Sequence, residues 1–98
     1  MDRDAALDTL RKHEPELRQL GVRHAALFGS VARGDAGTDS DLDVMIDLDP
    51  AARLDVYAYV GLCRFIAELF PVRVDVANRE TLKERIRMRA ERDAIPAF

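Results

Sequence analysis

The chain has 98 residues, 48% hydrophobic and 34% charged, with Gly 5 and Pro 4, a globular composition that excludes disordered and fibrous classes. This length supports one domain whose modest core buries somewhat over about 60% of the unfolded chain's surface, with no second domain expected. The formal charge of -3 gives no general attraction to nucleic acid, and a single cysteine excludes an internal disulfide framework. No signal peptide or run of eighteen apolar residues occurs, so no membrane span and a cytoplasmic location are expected.

The elements follow one another closely, without repeat, low-complexity tract or linker. The first predicted element is a helix from Asp4 to Lys12 with Leu7 and Leu10 facing inward. Pro15 opens a further turn through Leu20, in which Leu17 and Leu20 continue the apolar stripe, and Gly21 ends it. Ala25-Ala26-Leu27-Phe28 is short and apolar and ends at a glycine, the pattern of a strand running into a tight turn, and Ser30 to Arg33 then reads as one helical turn. A strand from Asp41 to Leu48 follows, and Asp49-Pro50 breaks it. Ala52 to Leu69 is a long predicted helix with an inward stripe of Val56, Val60, Cys63, Ala67 and Phe70, stopped by Phe70-Pro71. Val72 to Val76 alternates as a strand. Asn78 is a cap for a last helix from Arg79 to about Arg92, with Leu82 and Ile86 as inner contacts.

The chemistry concentrates where Gly29-Ser30 is followed, after ten residues, by Asp41-Leu42-Asp43. A glycine lets the backbone approach a ligand, and the N–H groups that open a helical turn are unsatisfied donors suited to anions, so this turn fits phosphate. In the acidic strand, Leu42, Val44, Ile46 and Leu48 alternate with Asp41, Asp43, Met45 and Asp47. Side chains two apart share a face, so one face is covered and the other presents Asp41 beside Asp43, followed by Asp47. In Val72-Arg73-Val74-Asp75-Val76 the valines take the covered face and Arg73 and Asp75 the open one. If the two strands pair, three carboxylates converge; their repulsion is relieved by a hard divalent cation with oxygen ligands, typically magnesium. A cation beside a phosphate site points to phosphoryl or nucleotidyl transfer.

Other residues carry two readings. Arg33 projects from the phosphate turn, where its guanidinium would bridge phosphate oxygens; alternatively it pairs with Asp35 or Asp39 and shapes the loop. Asp39-Ser40-Asp41 also fits a turn with an Asx motif. His13 and His24 lack an acid at catalytic spacing and read as structural, Cys63 as a core residue, and Tyr57 and Tyr59 as packing residues of the long helix. The closing helix holds six basic residues against four acidic ones and ends in the apolar tail Ile95-Pro96-Ala97-Phe98, which is either packed internally or a partner-docking surface.

Leu27-Phe28-Gly29-Ser30-Val31-Ala32-Arg33-Gly34-Asp35, continuing through Ser40-Asp41-Leu42-Asp43-Val44, resembles the signature of the minimal nucleotidyltransferase domains of the DNA polymerase beta-like superfamily. The resemblance covers essentially the whole chain, residues 1–98, in the family's order of elements. It implies an α/β (α+β) fold: a mixed β-sheet with helices on one face and an open face carrying the acidic site. It also implies ATP as donor, Asp41 and Asp43 as metal ligands and Asp75 as third carboxylate. The expected mechanism is in-line attack of an acceptor hydroxyl on the α-phosphorus of ATP with release of pyrophosphate. Two magnesium ions share Asp41 and Asp43, Asp75 completes the first site, and Gly29 and Ser30 hold the β- and γ-phosphates.

Stand-alone domains of this family are typically encoded beside a HEPN-type partner. By that resemblance the chain looks like the antitoxin of a HEPN/MNT toxin–antitoxin pair, transferring AMP to a toxin tyrosine within a hetero-oligomer. Two alternatives are an idle antitoxin that neutralises the toxin by binding, and a transferase acting on a small molecule such as an aminoglycoside.

Overall fold

A computed structural model describes residues 1–35, 37 and 40–98. The first helix, α1 (Arg3–Lys12), starts where the Asp2 carboxylate accepts the Ala5 N–H at 2.7 Å, and it buries Ala6, Leu7 and Leu10. In α2 (Glu14–Gln19), with Pro15 in its first turn, Leu17 is buried; Leu20 lies just past the end and is 40% exposed, so it does not continue the stripe. Gly21 turns the chain at a φ of 103°, a left-handed conformation that favours glycine.

Strand β1 (Val22–Phe28) leads directly into the short helix α3 (Gly29–Arg33), and β2 (Leu42–Leu48) returns antiparallel to β1. A 3₁₀ turn at Pro50–Ala52, capped by Asp49, precedes α4 (Val56–Glu68), whose cap is Asp55. The long helix thus begins four residues later than its composition indicates. Strand β3 (Val74–Asn78) lies parallel to β2, shifted two residues from the expected Val72 start. Asn78 caps only the 3₁₀ turn Arg79–Thr81. Leu82 and Lys83 are extended, and α5 (Glu84–Asp93) begins after them. A last short strand, β4 (Ile95–Pro96), pairs antiparallel with β1, giving the order β3-β2-β1-β4. The result is a mixed four-stranded α+β sheet. Among the described residues no helix is long and apolar enough to cross a membrane.

The core is one cluster in which α1, α2, α3 and α4 bury Leu10, Leu17, Val31, Leu62 and Ile66 against Ala25 and Leu27 of β1 and Leu42, Val44 and Ile46 of β2. The inner stripe of α4 is not Val56, Val60, Cys63 and Ala67. Val56 and Val60 are 75% and 50% exposed, Tyr57 stands in solvent, and Leu62, Ile66 and the following Phe70 are buried. The helix is apolar nearly all round, with no charged side chain before Arg64, so periodicity does not choose between its faces. In α5 the inner contact is Ala90 rather than Ile86, which is exposed. That helix is tied down by its acids instead: Glu91 to Arg79 at 3.3 Å and Asp93 to Arg33 at 2.8 Å.

The apolar tail packs on its own sheet. The Ala97 and Phe98 N–H groups both donate to the Ala25 carbonyl, Arg11 Nε donates to the Ala97 carbonyl at 2.9 Å, and Ala97 is buried. The Arg18 guanidinium lies 5.1 Å from the Phe98 ring centroid. Deleting residues 95–98 is expected to cost about 2 kcal/mol or more in lost hydrogen bonds and apolar burial. That lowers the melting temperature by roughly 10 °C, readable by calorimetry. An unchanged melting temperature would contradict this packing.

Candidate active site

β1 and β2 pair so that Phe28 lies opposite Asp43, and β2 and β3 pair so that Asp43 lies opposite Asp75. Directly opposed residues share a face of the sheet. Because Leu42 and Val44 point into the core, Asp43 and Asp75 point away from it, and Asp41, two residues before Asp43, has the same phase. The parallel register of β3 is what brings the third carboxylate to the first two. Its Val74 and Val76, opposite Leu42 and Val44, take the covered side as their alternation requires.

The turn from β1 into α3 adjoins this carboxylate group through Gly29, whose φ is 74°. A Cβ placed there would run into the Asp43 carboxylate, with Asp43 Cγ only 3.1 Å away. Only glycine permits both the left-handed backbone and this approach. The turn is closed by Gly34, at a φ of 80°, whose N–H donates to the Val31 carbonyl, while the Asp35 N–H donates to the Ser30 carbonyl at 3.0 Å. The N–H groups of the first turn of α3 have no acceptor within a helix and open beside Asp43.

Asp41 and Asp43 are half-buried and Asp75 is exposed, and the pKa of Asp43 is raised. Loss of solvation is the main cause, the charges of Asp75 and Asp41 add to it, and Arg33 opposes them. The strand register sets Asp43 opposite Asp75, with Asp41 two residues before it. Among the described residues no three His, Cys, Asp or Glu side chains stand at the spacing of a single ion's ligands. The donor set itself fits hard divalent cations: carboxylate oxygens only, with an excess of negative charge that a cation relieves.

Arg33 is engaged by two carboxylates. Its Nε pairs with Asp35 at 3.1 Å, one of the two loop-shaping partners expected from the sequence, and its Nη1 pairs with Asp93 of α5 at 2.8 Å. The other expected partner, Asp39, lies outside the described residues, as does the turn reading of Asp39-Ser40-Asp41. Asp47 shares the open face but is separated from the acidic group, pairing with Arg79 at 3.5 Å. The sequence gives no sign of the Asp93 and Arg79 pairings, because they join residues 60 and 32 positions apart in elements whose docking is set by the whole sheet.

The sequence is 33% identical over 87 residues to the protein adenylyltransferase MntA of Thermococcus cleftensis, covering 88% of this chain and 86% of that one. A solved structure described as a minimal nucleotidyltransferase superposes with a TM-score of 0.72 at 33% identity, covering 98% of this chain and 96% of that one. A toxin–antitoxin structure with AMP-PNP shares the fold, with a TM-score of 0.70 at 20% identity over 90% of this chain and 72% of that one. The sequence model of the nucleotidyltransferase domain matches residues 10–96. That span takes in all four strands and the turn that brings Gly29 against Asp43, and the chain belongs to the nucleotidyltransferase domain family.

Proposed function

We propose that this chain is a magnesium-dependent protein adenylyltransferase of the cytoplasm that transfers AMP from ATP to a hydroxyl, a tyrosine in the first instance, of a cognate HEPN toxin, and so acts as its antitoxin. The observation that carries the reading is the register of Asp43 with Asp75 beside the Gly29 turn. It sets an acidic group next to donors suited to a triphosphate, and the relative named protein adenylyltransferase supports a protein acceptor. The toxin–antitoxin complex with AMP-PNP supports ATP as donor and a toxin as partner.

The N–H groups at Gly29 and Ser30 hold the β- and γ-phosphates, leaving the α-phosphorus over the carboxylates. Asp41, Asp43 and Asp75 would hold two magnesium ions between them, which would neutralise the triphosphate charge and lower the pKa of the acceptor hydroxyl. Asp75, exposed at the edge of the group, accepts the acceptor's proton as its oxygen attacks the α-phosphorus and the bond to pyrophosphate breaks. Arg33, held by Asp35 and Asp93, fixes the turn against α5.

Incubation with α-labelled ATP, magnesium and the protein encoded beside this chain tests the reading. Label on that protein, lost on replacing Asp43, is expected. Label on a small molecule, or none at all, would overturn it.

A further inference from the structure

A cavity of about 460 Å³ opens on the carboxylate face of the sheet, toward the far ends of β1 and β2 from the phosphate turn. Its floor includes Ala26 and Met45, the cross-strand neighbours that share a face with Phe28 and Asp43. Ala94, at the end of α5, and Pro96 of β4 form walls. At the rim Arg79 stands between Asp47, at 3.5 Å, and Glu91, at 3.3 Å, so both acids there are already paired with one guanidinium.

We propose that this cavity is a subsite for the acceptor polypeptide and takes a large apolar side chain two or four residues away from the residue whose hydroxyl receives AMP. The proposal rests on the adenylyltransferase reading above. Met45 and Asp47 lie two and four residues beyond Asp43, about 7 and 13 Å along the strand. An extended acceptor crossing the sheet face advances by the same distance per residue, so a hydroxyl at the carboxylates brings that side chain over the cavity. The floor and walls, Ala26, Met45, Ala94, Pro96 and Phe98, favour an apolar group, to which the pliant Met45 adapts, while the polar residues of the lining are His24 and the Arg79 group with Asp47 and Glu91. Buried anchors of this kind dominate recognition between proteins.

The test uses the full chain, ATP, magnesium and two heptapeptides, Gly-Phe-Gly-Tyr-Gly-Phe-Gly and Gly-Gly-Gly-Tyr-Gly-Gly-Gly, the first carrying phenylalanine two residues from tyrosine and so on the same face of an extended chain. The phenylalanine peptide is expected to be labelled with a kcat/KM about tenfold higher. Without ATP it should also shift the methyl resonance of Met45, which the glycine peptide leaves in place. Ala94→Trp, which fills the cavity from the end of α5, should level the two peptides while AMP-PNP affinity stays within about twofold of the parent. Equal labelling of both peptides with no Met45 shift would overturn the subsite alone. Loss of AMP-PNP affinity in a folded Ala94→Trp protein would assign the cavity to the nucleotide and overturn it as well. A Met45 shift specific to the phenylalanine peptide with neither peptide labelled would support the apolar subsite and overturn the transfer reading.

Discussion

Asp43→Asn is expected to lower AMP transfer by about a thousandfold or more while raising the melting temperature measured in EDTA. The two effects have one origin. Asp43 is half-buried opposite Asp75 and near Asp41, which makes its charge useful around a cation and costly without one. A metal-held charge contributes several kcal/mol to a phosphoryl-transfer transition state, and asparagine keeps the shape while removing the charge. The stability effect follows from the raised pKa. In the pH range between the ordinary carboxylate value and the raised folded value, the folded chain binds more protons than the unfolded one, so stability falls as pH rises through that range. Asparagine does not titrate. The variant's advantage in EDTA should therefore be largest above the raised value and disappear below the ordinary carboxylate range. Millimolar magnesium should reverse the order, because binding to the folded parent stabilises it and the variant binds more weakly. Melting curves from acid to neutral pH, with and without magnesium, together with AMP incorporation, check both parts. Near-normal incorporation by Asp43→Asn would remove the two-metal assignment, and a variant less stable in EDTA at neutral pH would contradict the electrostatic account of the site.

The parts of this site that are legible in the sequence depend on alternation along a strand and on glycine. Leu42, Val44 and Ile46 against Asp41, Asp43 and Asp47 fix which face is covered, whatever the neighbours, and Val74-Asp75-Val76 repeats the pattern in phase. Three shared positions in two short strands are enough to bring the carboxylates together once the strands pair. What the sequence does not carry is the choice between equally apolar faces and the partners of long side chains. The helix from Val56 to Glu68 offers two apolar stripes, and only its packing against the sheet selects Leu62 and Ile66 over Val56 and Val60. The closing helix is held by one small side chain and two ion pairs, a mode of docking without an apolar period to read. Ile95 and Pro96 are too short a run to announce a strand, and they form one because β1 has a free edge beside them. Arg33 illustrates the same limit: its position beside the phosphate turn is local, whereas its partner Asp93 is 60 residues away.

The glycine at position 29 should be the least replaceable residue of the phosphate turn. Gly29→Ala and Gly29→Val are expected to lose most AMP-PNP binding, and Ser30→Ala only a several-fold part of it. Gly29 combines a φ of 74° with a contact in which any Cβ meets the Asp43 carboxylate. The backbone conformation alone costs a non-glycine residue about 1–3 kcal/mol. The side-chain collision adds to that in a way that the site cannot absorb. Asp43 is held between the pairings of β2 with β1 and β3, so its backbone stays in place and the carboxylate must swing away from the turn, or else the turn must lift from the sheet. Either movement separates the N–H groups of the turn, proposed to hold the phosphates, from the acidic group. Ser30 has an ordinary helical position after the turn, and losing its hydroxyl removes one hydrogen bond, worth roughly 1 kcal/mol, while its N–H stays where it was. Calorimetric titration with AMP-PNP and magnesium separates the cases, with circular dichroism confirming that the variants are folded. The collision itself has a separate signature. Combining Gly29→Ala with Asp43→Gly removes the clashing carboxylate and should recover part of the melting temperature lost in Gly29→Ala, without restoring transfer. Parent-like AMP-PNP affinity in a folded Gly29→Val protein would place the triphosphate away from this turn.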